Sequence, residues 1–222
     1  MDTTQPAPDS ATRSAGIGDP GPATLSAAMM ADDPMAQFAV WISEAEACGV
    51  PEPTAMVLAT TSADGRPRAR TVLLKAHDQA GFTFYSNRTS RKGRDLEVHP
   101  WASVVFPWYT MGRQVTAEGG VTTMSQSSSE PYFYSRPRRS QIGAWASRQS
   151  QVIGSRAELD RRVAELERSW PPPARVPMPD FWGGYVLAPE TVEFWQAGAY
   201  RLHDRLRYRR QGDGWIIERL SP

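Results

Sequence analysis

Short β-type segments punctuated by tight-turn signals constrain this chain more than any other feature. Thr54–Thr61 and Arg68–Lys75 flank Asp64-Gly65, a dipeptide suited to the positive φ of a two-residue hairpin turn. Trp101–Trp108 and Arg113–Thr123 flank Thr110-Met111-Gly112, and Trp215–Leu220 follows Gly212-Asp213-Gly214. Further strands are predicted at Phe82–Ser86 and near Gly184–Ala188, Thr191–Trp195 and Leu206–Arg210. About eight strands joined mostly by tight turns must be largely antiparallel, and such strands close into a barrel or a sandwich.

Helices interrupt this pattern. Asp33 before Pro34 opens one, because the carboxylate caps free N–H groups and the ring suits a first turn. Phe38, Trp41, Ile42 and Ala45 continue it at helical spacing until Gly49 and Pro51 stop it. Shorter helices are predicted over Ser90–His99, Ser127–Ser135 and Ser140–Ala146. A longer one runs from Arg156 to Trp170 behind the capping box Ser155-Arg-Ala-Glu158. The fold class is therefore mainly β with inserted helices. Met1–Ala31 is rich in Ala, Pro, Gly, Ser and Thr and has no aromatic residue, so it buries too little apolar surface to offset its ordering entropy. Residues 1–31 are expected to be a disordered N-terminal arm, and 32–222 a single domain.

Several function classes fall away. Cys48 is the only cysteine, so neither an internal disulfide nor a thiolate metal site exists, and a cytoplasmic setting is the natural expectation. The three histidines lack ligand spacing, which argues against a metal enzyme. No apolar run reaches the roughly 20 residues that a membrane span needs, and Met1–Gly21 lacks the pattern of a secretory signal. A formal net charge of +1 speaks against a broad nucleic-acid face. No Gly-x-Gly-x-x-Gly follows a strand, so neither a dinucleotide fold nor a Walker loop is indicated.

The arginines instead gather in four short clusters. Arg70-Thr-Val-Leu-Leu-Lys75 places a cation at each end of an apolar strand; alternation sends the two to opposite faces unless a bulge intervenes, and a solvated rim fits the pattern equally well. Tyr85-Ser-Asn-Arg-Thr-Ser-Arg91-Lys92 leads from a strand into a helix start, where free N–H groups and cations suit a phosphate. Tyr132, Arg136 and Ser140 follow four apart and would meet if the chain is helical there, although a surface loop with surplus arginine is the plainer reading. Arg201, His203 and Arg205 would share one face of an extended segment. Arginine can stack on a planar ring, and histidine can bond a ring hydroxyl or move a proton. No Ser–His–acid order or paired carboxylate stands out. Such groups suit a planar, phosphorylated cofactor and substrate, with the redox chemistry left to the cofactor.

From about Asp33 to Pro222 the chain resembles the pyridoxamine 5′-phosphate oxidase family. The matching stretches are Arg70–Lys75, Phe84–Lys92, Phe106–Val115, Ser135–Ser150, Phe181–Gly184, Glu193–Gln196, Arg201–Arg205 and the closing Glu218–Pro222. The resemblance implies a homodimeric FMN-binding split β-barrel with FMN at the subunit interface. It implies FMN contacts from Arg70, Thr71, Val72, Leu73, Leu74, Lys75, Tyr85, Ser86, Arg91, Lys92, Gln114, Gln149, Ser150, Trp195 and Arg205. The substrate phosphate would meet Lys75, Tyr132, Arg136 and Ser140, and Arg201 and His203 would cover the pyridine ring, Arg201 being most needed for the chemistry. The implied reaction oxidises pyridoxamine or pyridoxine 5′-phosphate to pyridoxal 5′-phosphate with O2 as acceptor and hydrogen peroxide as by-product. An FMN oxidase of a secondary pathway, similar to the phenazine-biosynthesis branch, is the alternative. Two departures from the family pattern stand out: Ala23–Ala31 lacks the Arg and Tyr that help cover the substrate, and bulky Tyr200 precedes Arg201.

Overall fold

The computed structural model describes residues 24–222. Its elements follow in the order α1 (Pro34–Ala47), β1 (Ala55–Thr61), β2 (Pro67–Leu73), β3 (Ala76–Asp78), β4 (Gly81–Asn87), α2 (Arg91–Val98), β5 (Trp101–Trp108), β6 (Arg113–Thr123), α3 (Gln126–Ser135), α4 (Arg138–Ala146), α5 (Arg156–Ser169), β7 (Trp182–Gln196), β8 (Asp204–Gln211) and β9 (Gly214–Arg219). The helix starts follow from capping chemistry. The Asp33 carboxylate accepts from the N–H groups of Met35 and Ala36 at 2.8 and 3.0 Å. Ser90 caps α2 through Gly93 N–H, and Ser155 caps α5 through Glu158 N–H.

Nine strands form one antiparallel sheet in the order β2-β1-β5-β6-β7-β4-β3, with β8 and β9 added beside β7. The sheet forks at β7: its first half pairs with β4 and its second half with β8, while β6 runs along both. Two separate strands were expected here, divided at Pro189-Glu190. They are one strand of 15 residues instead. A register shift between Glu118 and Gly119 absorbs the proline. A side chain at position 119 would have its Cβ 1.9 Å from the Ala188 carbonyl oxygen, so only glycine lets β7 pass through uninterrupted.

The sheet wraps a core of alternating inward residues: Met56 and Leu58 from β1, Val104 and Phe106 from β5, Val115 and Ala117 from β6, and Val192 and Phe194 from β7. α1 plugs one end with Phe38, which is fully buried and meets Phe82 edge-on at 4.9 Å and Phe106 at 4.8 Å.

The described chain begins before Asp32. Leu25 and Met30 are buried. Leu25 N–H donates to Asp204, its carbonyl accepts from Arg219, and the Tyr208 hydroxyl donates to the Ala31 carbonyl. Residues 24–31, expected to belong to a disordered arm, thus lie against β8 and β9; the remainder of that arm, 1–23, falls outside the described residues.

Candidate active site

A cavity of about 890 Å³ opens between β2, β4 and the α2–α4 helices. Arg68, Arg70, Lys75, Arg91, Lys92 and Arg136 line it, and no carboxylate among the described residues does. Arg70 and Lys75 were expected on opposite faces of one strand. They line the same cavity because β2 ends at Leu73 and the chain then crosses to β4, with Leu74 N–H bonded to Thr54 O and Lys75 N–H to Thr83 O. Within β2 the alternation holds: Arg68, Arg70 and Val72 are the half-buried positions.

The start of α2 supplies the second cluster. Lys92 is buried, and its ammonium donates to Ser86 Oγ at 2.9 Å, Ser90 Oγ at 3.2 Å and Gln149 Oε1 at 2.8 Å. All three acceptors are neutral. Burial, followed by the nearby Arg70 charge, pushes Lys92 down to about 8. Ser150, in the left-handed region at φ 72°, accepts from Arg91 N–H through its hydroxyl. A Cβ on Gly93 would lie 2.0 Å from the Arg88 carbonyl oxygen, so glycine is required for the chain to double back into the helix.

Behind these cations sits Asp95, 3% exposed. Its carboxylate accepts from Thr60 Oγ1 at 2.8 Å and Arg68 Nη1 at 2.7 Å, and lies 3.6 Å from Arg70 Nη2. Arg70 in turn donates to Leu58 O and Thr60 Oγ1.

Tyr132, Arg136 and Ser140 also line the cavity, though not as one helix. α3 stops at Ser135, Arg136 is extended, Pro137 precedes α4, and the turn between the helices makes the convergence. The Arg136 guanidinium lies 5.0 Å over the Trp182 ring and donates through Nη2 to Ser140 O. Its Nη1 is buried without a partner among the described residues. Burial lowers its proton affinity, opposed by Tyr132. Tyr85 stacks on Tyr132 at 4.2 Å and on Trp182 at 5.3 Å, giving the cavity a flat aromatic wall.

Gln114, Trp195, Arg201 and His203 line a second cavity of about 400 Å³, with Tyr109, Gly112 and Arg113. The extended geometry expected for Arg201–Arg205 is absent. Ala199–Arg201 is a 3₁₀ turn in which Tyr200 and Arg201 have φ of 56° and 65°, and β8 begins only at Asp204. Arg205 is consequently separated from Arg201 and His203. It forms a two-pronged ion pair with Glu193 at 2.7 and 2.9 Å and lines neither cavity. Leu74 lines neither either, being 4% exposed in the core.

Sequence reasoning gave no site role to Arg68 and Trp182 in the first cavity, or to Tyr109 and Arg113 in the second, while Asn87 lay within the Tyr85–Lys92 cluster it had marked. Arg68 was in reach of the same period-two argument as Arg70, while Trp182 lay in the matching stretch Phe181–Gly184 but is separated from Arg136 by 46 positions, so no local pattern tied it to the cluster.

Comparison with known proteins bears directly on this pair of cavities. The pyridoxamine 5′-phosphate oxidase profile matches residues 42–169, and the pyridoxine 5′-phosphate oxidase C-terminal dimerisation region matches 182–222. The chain belongs to the pyridoxamine 5′-phosphate oxidase family. Members named pyridoxine/pyridoxamine 5′-phosphate oxidase include one from Frankia alni, 59% identical over 190 residues (84% of this chain, 79% of the relative). Another, from Acidothermus cellulolyticus, is 55% identical over 197 residues (87% of this chain, 88% of the relative). Among solved structures, PhzG from Burkholderia lata in complex with tetrahydrophenazine-1-carboxylic acid superposes with a TM-score of 0.81 at 33% identity, covering 86% of this chain and 94% of that one. A pyridoxamine 5′-phosphate oxidase-related, FMN binding protein from Nostoc punctiforme shares the fold, with a TM-score of 0.69 at 17% identity over 87% of this chain and 100% of that one. The architecture is the family's split barrel, and the second cavity takes Trp195, Arg201 and His203 from the dimerisation region and its other lining residues from the 42–169 match.

Proposed function

We propose that this chain is an FMN-dependent oxidase that converts pyridoxamine or pyridoxine 5′-phosphate to pyridoxal 5′-phosphate, with O2 as acceptor and hydrogen peroxide as by-product. The observation that carries the reading is the first cavity: among the described residues, six cations, a planar aromatic wall and no acid. It needs anions. Lys92 donates only to neutral oxygens, and Arg136 keeps a buried nitrogen without a partner. A flavin phosphate and a substrate phosphate would satisfy both.

The chain's own residues divide the work. Arg70, Arg91 and Lys92, with Ser86, Gln149 and Ser150, would hold the FMN phosphate at the start of α2. Lys75, Tyr132, Arg136 and Ser140 would anchor the substrate phosphate. FMN supplies the electron acceptor for the C4′ hydride equivalent, while the protein contributes orientation, charge and exclusion of water.

The two cavities share no lining residue in one protomer, yet the expected cofactor set spans both. We infer that FMN sits between the first cavity of one subunit and the second cavity of its partner, which brings Gln114, Trp195, Arg201 and His203 over the flavin and substrate. Homodimerisation through residues 182–222 then completes the site. A cytoplasmic location fits an exposed free thiol at Cys48.

The test is turnover by purified protein with added FMN, offered pyridoxamine phosphate, pyridoxine phosphate and both unphosphorylated forms, with pyridoxal phosphate and peroxide followed together. Oxidation of the phosphorylated pair alone is expected. The likeness to PhzG favours a second reading, an oxidase of a phenazine-type intermediate. Tight FMN binding without product from any of the four substrates would overturn the first reading in favour of the second.

A further inference from the structure

The β7–β8 connection holds a feature that decides what His203 can do in the reaction proposed above. Gly198 N–H donates to His203 Nδ1 at 3.1 Å. A backbone amide can only donate, so Nδ1 must be the unprotonated ring nitrogen and the ring proton of neutral His203 must reside on Nε2. Nε2 has no partner among the described residues, and the imidazole lines the second cavity with its ring 4.6 Å from that of Trp195. The available nitrogen is therefore a donor on a ring that lines ligand space.

The connection is built to keep this arrangement. Tyr200 and Arg201 both occupy the left-handed region, which reverses the chain tightly enough for residue 203 to return to residue 198. Leu202 N–H bonds to Ala199 O, closing the turn. At position 198 a Cβ would lie 2.0 Å from the Leu202 carbonyl oxygen, so any larger residue would push the amide away from the ring. The requirement for glycine here is steric, because φ at Gly198 is an ordinary −122°.

We propose that Gly198 is a positioning residue that fixes His203 as the Nε2–H tautomer, so that His203 serves as a hydrogen-bond donor to an acceptor oxygen of the substrate and not as the base that removes its proton. A histidine offering an unprotonated nitrogen to the cavity would have the opposite tautomer and leave the Gly198 amide without an acceptor. The proposal rests on the oxidase reading for its kinetic arm only; the tautomer is a property of the free protein.

The first test is therefore spectroscopic. Long-range ¹H–¹⁵N correlation spectra of ¹⁵N-labelled protein at about pH 8, with His203→Asn used to assign the signal, should show a protonated Nε2 and an unprotonated Nδ1. A protonated Nδ1, or an exchange-averaged pair, would overturn the assignment. Gly198→Ala should lose the single-tautomer pattern while its melting curve still reports a folded protein; retention of the pattern would remove Gly198 from the mechanism. The second test compares His203→Gln, whose amide N–H reaches the Nε2 position, with His203→Asn, which can bond Gly198 but presents no donor to the cavity. Donor chemistry predicts that Gln stays within about tenfold of the wild-type kcat while Asn falls about a hundredfold. An equal loss of about 10²–10⁴ in both would establish a base and refute the proposal. If the tautomer is as stated but no vitamin B6 phosphate turns over, the oxidase reading fails and the assignment of Gly198 and His203 stands.

Discussion

Lys92 makes the affinity of the free protein for FMN depend on pH in a way that can be worked from its surroundings. Its ordinary value is 10.5, and burial with the Arg70 charge pushes it down to about 8. A phosphate dianion bound beside it would restore the higher value, so binding takes up a proton wherever the pH lies between the two. Affinity is then fully present below about 8 and is lost as the pH rises toward 10.5. Between pH 7.5 and 9.5 the free protein's Lys92 passes from about three-quarters charged to a few per cent, which alone weakens binding about twentyfold. Solvent screening reduces this to about tenfold. Folding stability of the free protein moves the other way. The unfolded chain binds the Lys92 proton more tightly than the native one, so that contribution to stability grows as the pH rises through the same window. The assay is quenching of flavin fluorescence on titrating the cofactor-free protein at the two pH values and constant ionic strength, repeated with Lys92→Met. An equal Kd at both pH values for the wild type, or the same loss in Lys92→Met, would refute the reasoning.

Three further outcomes are expected. Arg136→Ala should raise the KM for pyridoxamine phosphate about 30- to 100-fold, the equivalent of about 2–3 kcal/mol for a charge-assisted phosphate contact, with flavin affinity unchanged in the same fluorescence titration. Asp95→Ala should cost about 3–5 kcal/mol by leaving Thr60 and Arg68 without their buried acceptor and Arg70 without its counter-charge, lowering Tm by about 10 °C in a calorimetric scan. Gly93→Ala should weaken FMN binding about tenfold, since its Cβ would lie 2.0 Å from the Arg88 carbonyl oxygen and the first turn of α2 must shift; an unchanged Kd would show that the turn does not set the cradle.

What was legible in the sequence was whatever chemistry is local. The Asp33 and Ser155 caps, the Asp64-Gly65 turn and the fused Arg91–Lys92 cluster each depend on neighbours within a few residues, and each element they define is present in the structure. Periodicity also identified β1, β5 and β6 almost to their ends. It failed where a local rule was outweighed by pairing. Pro189 reads as a break, yet the bulge at Gly119 carries β7 through it. Arg205 reads as a companion of Arg201, yet Glu193 on the adjacent strand captures it, because register β7–β8 sets the Trp195–Arg205 pair beside that carboxylate. Asp95 is the instructive omission: in the sequence it is one acid on a short polar helix, and only the approach of α2 to β1 and β2 reveals the three side chains it holds.

That single carboxylate explains how a cavity with six cations can exist before any anion arrives. Asp95 balances Arg68 and Arg70 from behind, where a ligand cannot reach it, and Thr60 passes one hydrogen bond from Arg70 on to it. The charges nearer the ligand are treated differently. Lys92 and Arg136 are given neutral oxygens or aromatic faces, which hold their geometry without cancelling their charge. Had acids been placed there, each would have to be displaced by an incoming phosphate, and the gain on binding would shrink by the strength of the bond broken. The free protein instead retains repulsion among partly buried cations, and an anion that enters relieves it. Tight anion binding and a less stable empty state are thus two consequences of one arrangement, which is why bound FMN should raise the melting temperature most below about pH 8, where Lys92 is charged before the phosphate arrives and the affinity is full.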